Sequence, residues 1–146
     1  MGTPENKTII QYKHTFKHPV GKVFRAFLEA ASVKLWFGPK EFSIGTVELE
    51  PKVGGNLSIE MISPRGDVFW MKGLFTEITE DYKIVYDAVY EPDVPNLGNY
   101  RVSYLFKAGG QQTEVTVVQE IYKVINPEGR TKGWEDGFAK LEAILD

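Results

Sequence analysis

Between Phe42 and Val124 the chain keeps returning to short strand-like stretches, and the segments between them are too short to carry a helix. These stretches are Phe42–Leu49, Asn56–Ile62, Val68–Ile78, Tyr82–Tyr90, Tyr100–Lys107 and Thr113–Val124. They are divided by compact turns at Pro51-Lys-Val-Gly-Gly55, Ser63-Pro-Arg-Gly-Asp67, Glu80-Asp81 and Ala108-Gly109-Gly110, and by a longer Pro, Asp, Asn and Gly loop at 91–99. Parallel neighbours need a crossover of about a dozen residues, so strands joined this closely must run antiparallel.

The flanks complete the plan. Residues 8–17 alternate as another strand, with Ile10, Tyr12, His14 and Phe16 on one face and Gln11, Lys13, Thr15 and Lys17 on the other. Pro19 then opens an amphipathic helix whose apolar positions are Val20, Val23, Phe24, Phe27 and Leu28. A second short helix is expected from an N-cap at Ser32 to Trp36-Phe37, ended by Gly38-Pro39. Asn126-Pro127-Glu128 signals the start of a long closing helix. Its stripe is Trp134, Phe138, Leu141 and Leu145, and Gly133 and Gly137 lie beside it. Each glycine costs the helix roughly 0.5–1 kcal/mol relative to alanine. That cost implies either a second backbone close by or a deliberate empty space. The expectation is a single α+β domain over residues 1–146: a curved antiparallel sheet of about six to seven strands, two short helices after the first strand, and a long C-terminal helix.

Composition removes several function classes. The net charge of −3 lacks the basic excess of a nucleic-acid binder. No apolar run approaches a membrane span and no signal-peptide pattern opens the chain, so a cytoplasmic location is expected. The absence of cysteine excludes disulfides and thiolate chemistry. With only His14 and His18, a dedicated zinc site would need carboxylates to complete its ligands, and no metal or other cofactor is expected. Arg65-Gly66-Asp67 spells an integrin tripeptide but falls in an expected hairpin turn.

Several short segments, taken together, resemble the single-domain homologues of the activator of Hsp90 ATPase. These lie within the SRPBCC superfamily of START-like and birch-pollen-allergen-like helix-grip folds. The segments are Trp36-Phe37-Gly38-Pro39, Pro51-Lys-Val-Gly-Gly55, Gly73-Leu-Phe-Thr-Glu-Ile78 and Gly133-Trp134, and the likeness extends over about residues 8–145. The resemblance implies a seven-stranded antiparallel sheet gripping the C-terminal helix, with an apolar cavity between them. Functions in the superfamily include lipid and sterol carriage, polyketide cyclisation, hormone binding and chaperone stimulation. The Asn-Trp-His-Trp-type run of the eukaryotic activators does not occur; the tryptophans stand alone at 36, 70 and 134.

The function expected on this basis is noncovalent binding of a small lipid-like or aromatic ligand in that cavity. The alternatives are a stress-related or co-chaperone interaction module and a cyclase- or hydrolase-like enzyme. Expected cavity residues are the aromatics Tyr12, Trp70, Tyr86, Tyr104, Trp134 and Phe138, with Gly137 leaving room beside them. Polar candidates are His14 on the first strand, Gln119 on the apolar face of the last, and Arg130 one turn before Trp134. Arg130 would anchor an anionic head group. No pair of carboxylates falls on one expected cavity face, so an acid–base enzyme is the least favoured of the three. The loop Glu91–Asn99 is a possible lid.

Overall fold

A computed structural model describes residues 7–92 and 99–146. Its elements are β1 (Thr8–Phe16), α1 (Val20–Ala26), α2 (Ala30–Trp36), β2 (Ser43–Leu49), β3 (Asn56–Ile62), β4 (Val68–Thr79), β5 (Lys83–Glu91), β6 (Tyr100–Gly109), β7 (Gln112–Ile121) and α3 (Glu128–Leu145). The strands form one seven-stranded sheet in the order β1-β7-β6-β5-β4-β3-β2, and every neighbouring pair is antiparallel. This is the α+β helix-grip arrangement expected from the sequence.

β1 and β2 stand at opposite edges of the sheet. The chain between them has to cross its whole width, and α1 and α2 make that crossing. α1 packs on β6 and β7, and α2 lies against β2 and α3. Register shifts between Ile44 and Val47 and between Phe75 and Glu77 mark β-bulges, which bend and twist a sheet locally. On the inner face β7 presents Thr113, Val115, Val117, Gln119 and Ile121, all buried, while Glu114, Thr116, Val118 and Glu120 remain partly exposed.

Some boundaries move for identifiable reasons. α2 begins at Ala30 with Glu29 as its N-cap, not at Ser32, because the Ser32 amide already donates to the Glu29 carbonyl at 3.1 Å. β7 stops at Ile121, not Val124. There Ile121 pairs with Thr8 on one side and Tyr100 on the other. Beyond it the Thr8 hydroxyl takes over, donating to the Lys123 carbonyl at 2.8 Å and accepting the Ile125 N–H at 2.9 Å. At α3, Asn126 accepts the Glu128 N–H at 3.0 Å, although Pro127 occupies the N-cap position itself. Most of the expected lid, residues 93–98, lies outside the described residues.

The core is an aromatic cluster gathered where α1, α2 and α3 meet the sheet. Phe27, Trp36, Tyr104 and Phe138 are all buried, with Phe27–Tyr104 and Phe27–Trp36 ring centroids 4.7 and 4.9 Å apart and Trp36–Phe138 5.9 Å. The Trp36 indole donates to the Ala26 carbonyl at 3.1 Å, so its one polar atom is satisfied. Trp134, Phe138, Leu141 and Leu145 are the buried stripe of α3.

Gly137 corrects the expectation of empty space beside that stripe. A Cβ there would lie 3.1 Å from the Trp36 carbonyl oxygen and 3.4 Å from its ring. The glycine lets two backbones approach closely. A Gly137→Phe change would therefore fill no cavity and would force the helices apart. At Gly133 a Cβ would meet only the Pro39 side chain, at 3.4 Å.

Gly133→Ala and Gly137→Ala share the same helix-propensity gain of up to about 1 kcal/mol. Urea denaturation should show Gly133→Ala neutral or stabilised and Gly137→Ala destabilised by about 1–2 kcal/mol, as for an overpacked core. Equal midpoints for the two variants would mean that α3 is not pressed onto Trp36.

Candidate ligand-binding site

A cavity of about 400 Å³ lies between the N-terminal half of α3 and one end of the sheet, partly open to solvent. The segment after α2 supplies Phe37, Gly38, Pro39 and Phe42 to one wall. The strands supply Met61, Phe69, Tyr90, Tyr100 and Gln119, one from each of β3 to β7. α3 and the residues before it supply Ile125, Gly129, Arg130, Gly133 and Trp134. Alternation explains the strand residues, since each lies on the face that its strand turns toward the helices.

Few polar groups face this space. Gln119 is 3% exposed, and its carbonyl oxygen accepts the Trp134 indole N–H at 2.9 Å. That bond fixes both side chains in one orientation. The Arg130 guanidinium lies 5.7 Å from the Tyr90 ring centroid and 5.4 Å from that of Tyr100, within cation–π range of both. The two tyrosine rings are themselves 5.5 Å apart. Burial pushes the Tyr100 phenol well up from its ordinary pKa, the neighbouring Tyr90 adds to the rise, and Arg130 opposes it. Tyr100 is therefore a neutral hydroxyl at any physiological pH.

Of the residues expected at the site, the structure brings Gln119, Arg130 and Trp134 together in the cavity wall. Tyr86 and Tyr104 lie deeper. Their hydroxyls are 3.1 Å apart, and the void beside them is only about 10 Å³. Phe138 is fully buried among Phe16, Phe27 and Trp36, and Tyr12 packs on its ring at 5.8 Å. His14 packs against Phe16 with tilted rings, their centroids 4.4 Å apart, and meets Glu142 at 2.9 Å, away from the cavity. Trp70 is on the opposite face of β4 from Phe69 and Met71, where Lys72 stands 4.5 Å above its ring. Gly137 abuts Trp36.

Residues that sequence reasoning missed include Phe37, Phe42, Met61, Phe69, Tyr90 and Tyr100. The signal for Phe69 was available in the alternation of β4, where the neighbouring Trp70 has the opposite phase. Asp136 was also missed. Although its neighbours one turn away on the helix are Lys132 and Lys140, it is only 9% exposed, and it accepts the Lys40 backbone N–H at 3.1 Å and the Lys132 ammonium at 3.1 Å. It thereby ties the Gly38-Pro39 wall of the cavity to α3. Burial opposes the charge on Asp136, but the Lys40 N–H and Lys132 outweigh it and hold the carboxyl below its ordinary pKa.

A curved antiparallel sheet closed on a C-terminal helix, with a cavity at one end of that helix, defines a helix-grip domain of the SRPBCC type. The chain belongs to the family described as Activator of Hsp90 ATPase homolog 1-like protein, whose sequence model matches residues 17–146. A crystal structure of a protein from Chromobacterium violaceum is similar at a TM-score of 0.85 and 23% identity, over 94% of this chain and 96% of that one. One from Nitrosomonas europaea gives 0.79 and 22%, over 98% and 96%. A solution structure from Staphylococcus epidermidis gives 0.77 and 21%, over 96% and 89%. These likenesses establish a shared fold. No curated protein matches the sequence. No helix among the described residues is long and apolar enough to cross a membrane.

Trp134→Ala should cost about 3–5 kcal/mol in urea unfolding, the range for a buried tryptophan. Trp134→Phe should cost about 1–3 kcal/mol by leaving the Gln119 oxygen without its donor. A loss below about 1 kcal/mol for the alanine variant is the behaviour of an exposed site and would contradict the packing described.

Asp136 supplies a pH signature. Its folded pKa is lowered, so its contribution to stability is complete above the unfolded carboxylate value of about 3.9 and is lost as pH falls through the folded value. The stability gap between wild type and Asp136→Asn should be full at neutral pH and shrink on acidification below about pH 4. A gap that does not vary with pH would contradict the charge-dependent tie to Lys40 and Lys132.

Proposed function

We propose that the protein binds a small, mainly apolar ligand noncovalently in the cavity at the N-terminal end of α3. The observation that carries this reading is a space of about 400 Å³ walled largely by Phe37, Phe42, Met61, Phe69 and Trp134. That volume falls within the range of about 300–1,000 Å³ typical of small-molecule sites. Burying 200 Å² of apolar ligand surface would contribute about 5 kcal/mol before the costs of immobilisation. Orientation would come from the polar groups that interrupt the apolar wall, Gln119, Arg130 and the Tyr90 and Tyr100 hydroxyls. No carboxylate and no imidazole lines the cavity among the described residues, which favours binding over general acid–base catalysis.

The family's name favours a second reading, a co-chaperone acting on an Hsp90-type ATPase. Under that reading the docking surface lies outside the cavity, and the chaperone's ATP hydrolysis rises when the protein is added.

NMR titration with a library of fatty acids and aromatic compounds tests the first reading. Binding should shift the Trp134 indole N–H and the Tyr100 resonances. Gly129 offers the control, because a Cβ there meets nothing within 4 Å. Gly129→Phe should keep the fold, lose a glycine penalty of up to about 1 kcal/mol, and abolish those shifts. A library that leaves Trp134 unmoved, or binding that survives Gly129→Phe unchanged, would overturn the reading. An increased chaperone ATPase rate in the same preparation would then support the second.

A further inference from the structure

The other end of α3 carries a separate cluster. Glu142 and Asp146 stand one turn apart on the helix, and both face the junction of β1 and α1. The Nε2 atom of His14 meets Oε1 of Glu142 at 2.9 Å. The Nε2 atom of His18 lies 2.8 Å from Oδ1 of Asp146 and 3.5 Å from Oε2 of Glu142. That second Glu142 oxygen also accepts the Lys17 backbone N–H at 3.3 Å. His18 is held from behind, since the fully buried Thr113 donates its hydroxyl to the His18 carbonyl at 2.8 Å. Lys22 contacts the helix end at the Leu145 carbonyl, at 2.7 Å.

One imidazole nitrogen therefore faces two carboxylates. It can carry at most one hydrogen, so a proton can serve only one of the two oxygens. A divalent cation serves both. The donor atoms of His18, Glu142 and Asp146 all lie within 4.8 Å of one another. Donors on a tetrahedral zinc at about 2.1 Å stand about 3.4 Å apart. The His18–Glu142 separation of 3.5 Å already matches, and the His18–Asp146 contact of 2.8 Å needs only to open slightly.

We propose that His18, Glu142 and Asp146 form a site for zinc or a similar borderline divalent cation. His14 is its positioning residue, gripping the Glu142 oxygen that faces away from the metal, and water completes the coordination. One imidazole with two carboxylates suits zinc better than magnesium or calcium, which prefer oxygen alone. Bound there, the ion would clasp the end of α3 to the corner after β1. The site shares no residue with the cavity and does not depend on any ligand binding there.

The test is calorimetric titration of zinc chloride into the full chain, freed of any polyhistidine tag and dialysed against chelator. One equivalent should bind, and magnesium should not compete. Asp146→Asn, at the exposed helix end, and His18→Ala should each weaken binding at least about tenfold. His14→Ala should weaken it by about tenfold through the loss of an outer-shell partner. Zinc should raise the melting temperature of the wild type and not of Asp146→Asn, with circular dichroism confirming that each variant is folded. No uptake, or uptake unaffected by both Asp146→Asn and His18→Ala, would overturn the proposal.

Discussion

The contact between Gly137 and the backbone of Trp36 organises the molecule. β1 and β2 occupy opposite edges of the sheet, so α1 and α2 must traverse its inner face, and this leaves the end of α2 directly under α3. α3 seats there without crowding because Gly137 has no side chain, a Cβ at that position lying 3.1 Å from the Trp36 carbonyl oxygen. Once it seats, Phe138 closes against Phe16, Phe27 and Trp36, and Trp134 reaches Gln119 on β7. The glycine costs the helix about 1 kcal/mol, and the aromatic burial it permits is several times larger.

The succession of strands and helices along the chain and the buried stripe of α3 were legible because they rest on periodicity and on turn chemistry, which are local. The cavity wall was legible only in part, because it depends on phase and on distant partners. Trp70 drew attention as a large aromatic, yet alternation turns Phe69 inward instead. His14 was placed correctly on the inner-facing side of β1, but its partner Glu142 lies at the far end of the sequence, and no spacing rule connects the two. Asp136 carries no signal in the sequence, because only the fold brings the Lys40 amide to it. Gly133 and Gly137 raised the right question, whether the helix wanted contact or space. The answer differs between glycines one turn apart, which a sequence cannot express.

The two ends of α3 are built for different tasks. At its start Asn126, Gly129 and Arg130 face a partly open apolar space. At its finish Glu142 and Asp146 are fastened to His14 and His18. Between them Asp136 binds the loop after α2. The protein has thus separated the part of the helix that holds position from the part left uncovered. Solved structures with under a quarter of their residues identical share the fold in which this helix sits.

The glycines at 129, 133 and 137 act as a feeler gauge along that rod. A virtual Cβ meets nothing at the first, the Pro39 side chain at the second and the Trp36 backbone at the third. The gap between helix and floor is therefore a wedge with its hinge near Gly137. Eight residues of helix span about 12 Å, so a tilt of about 5° about that hinge moves the open end by about 1 Å. The capacity of the chamber is thereby set by an angle as much as by its walls. Substitutions beneath Trp36, which is not part of the cavity wall, would be enough to retune it.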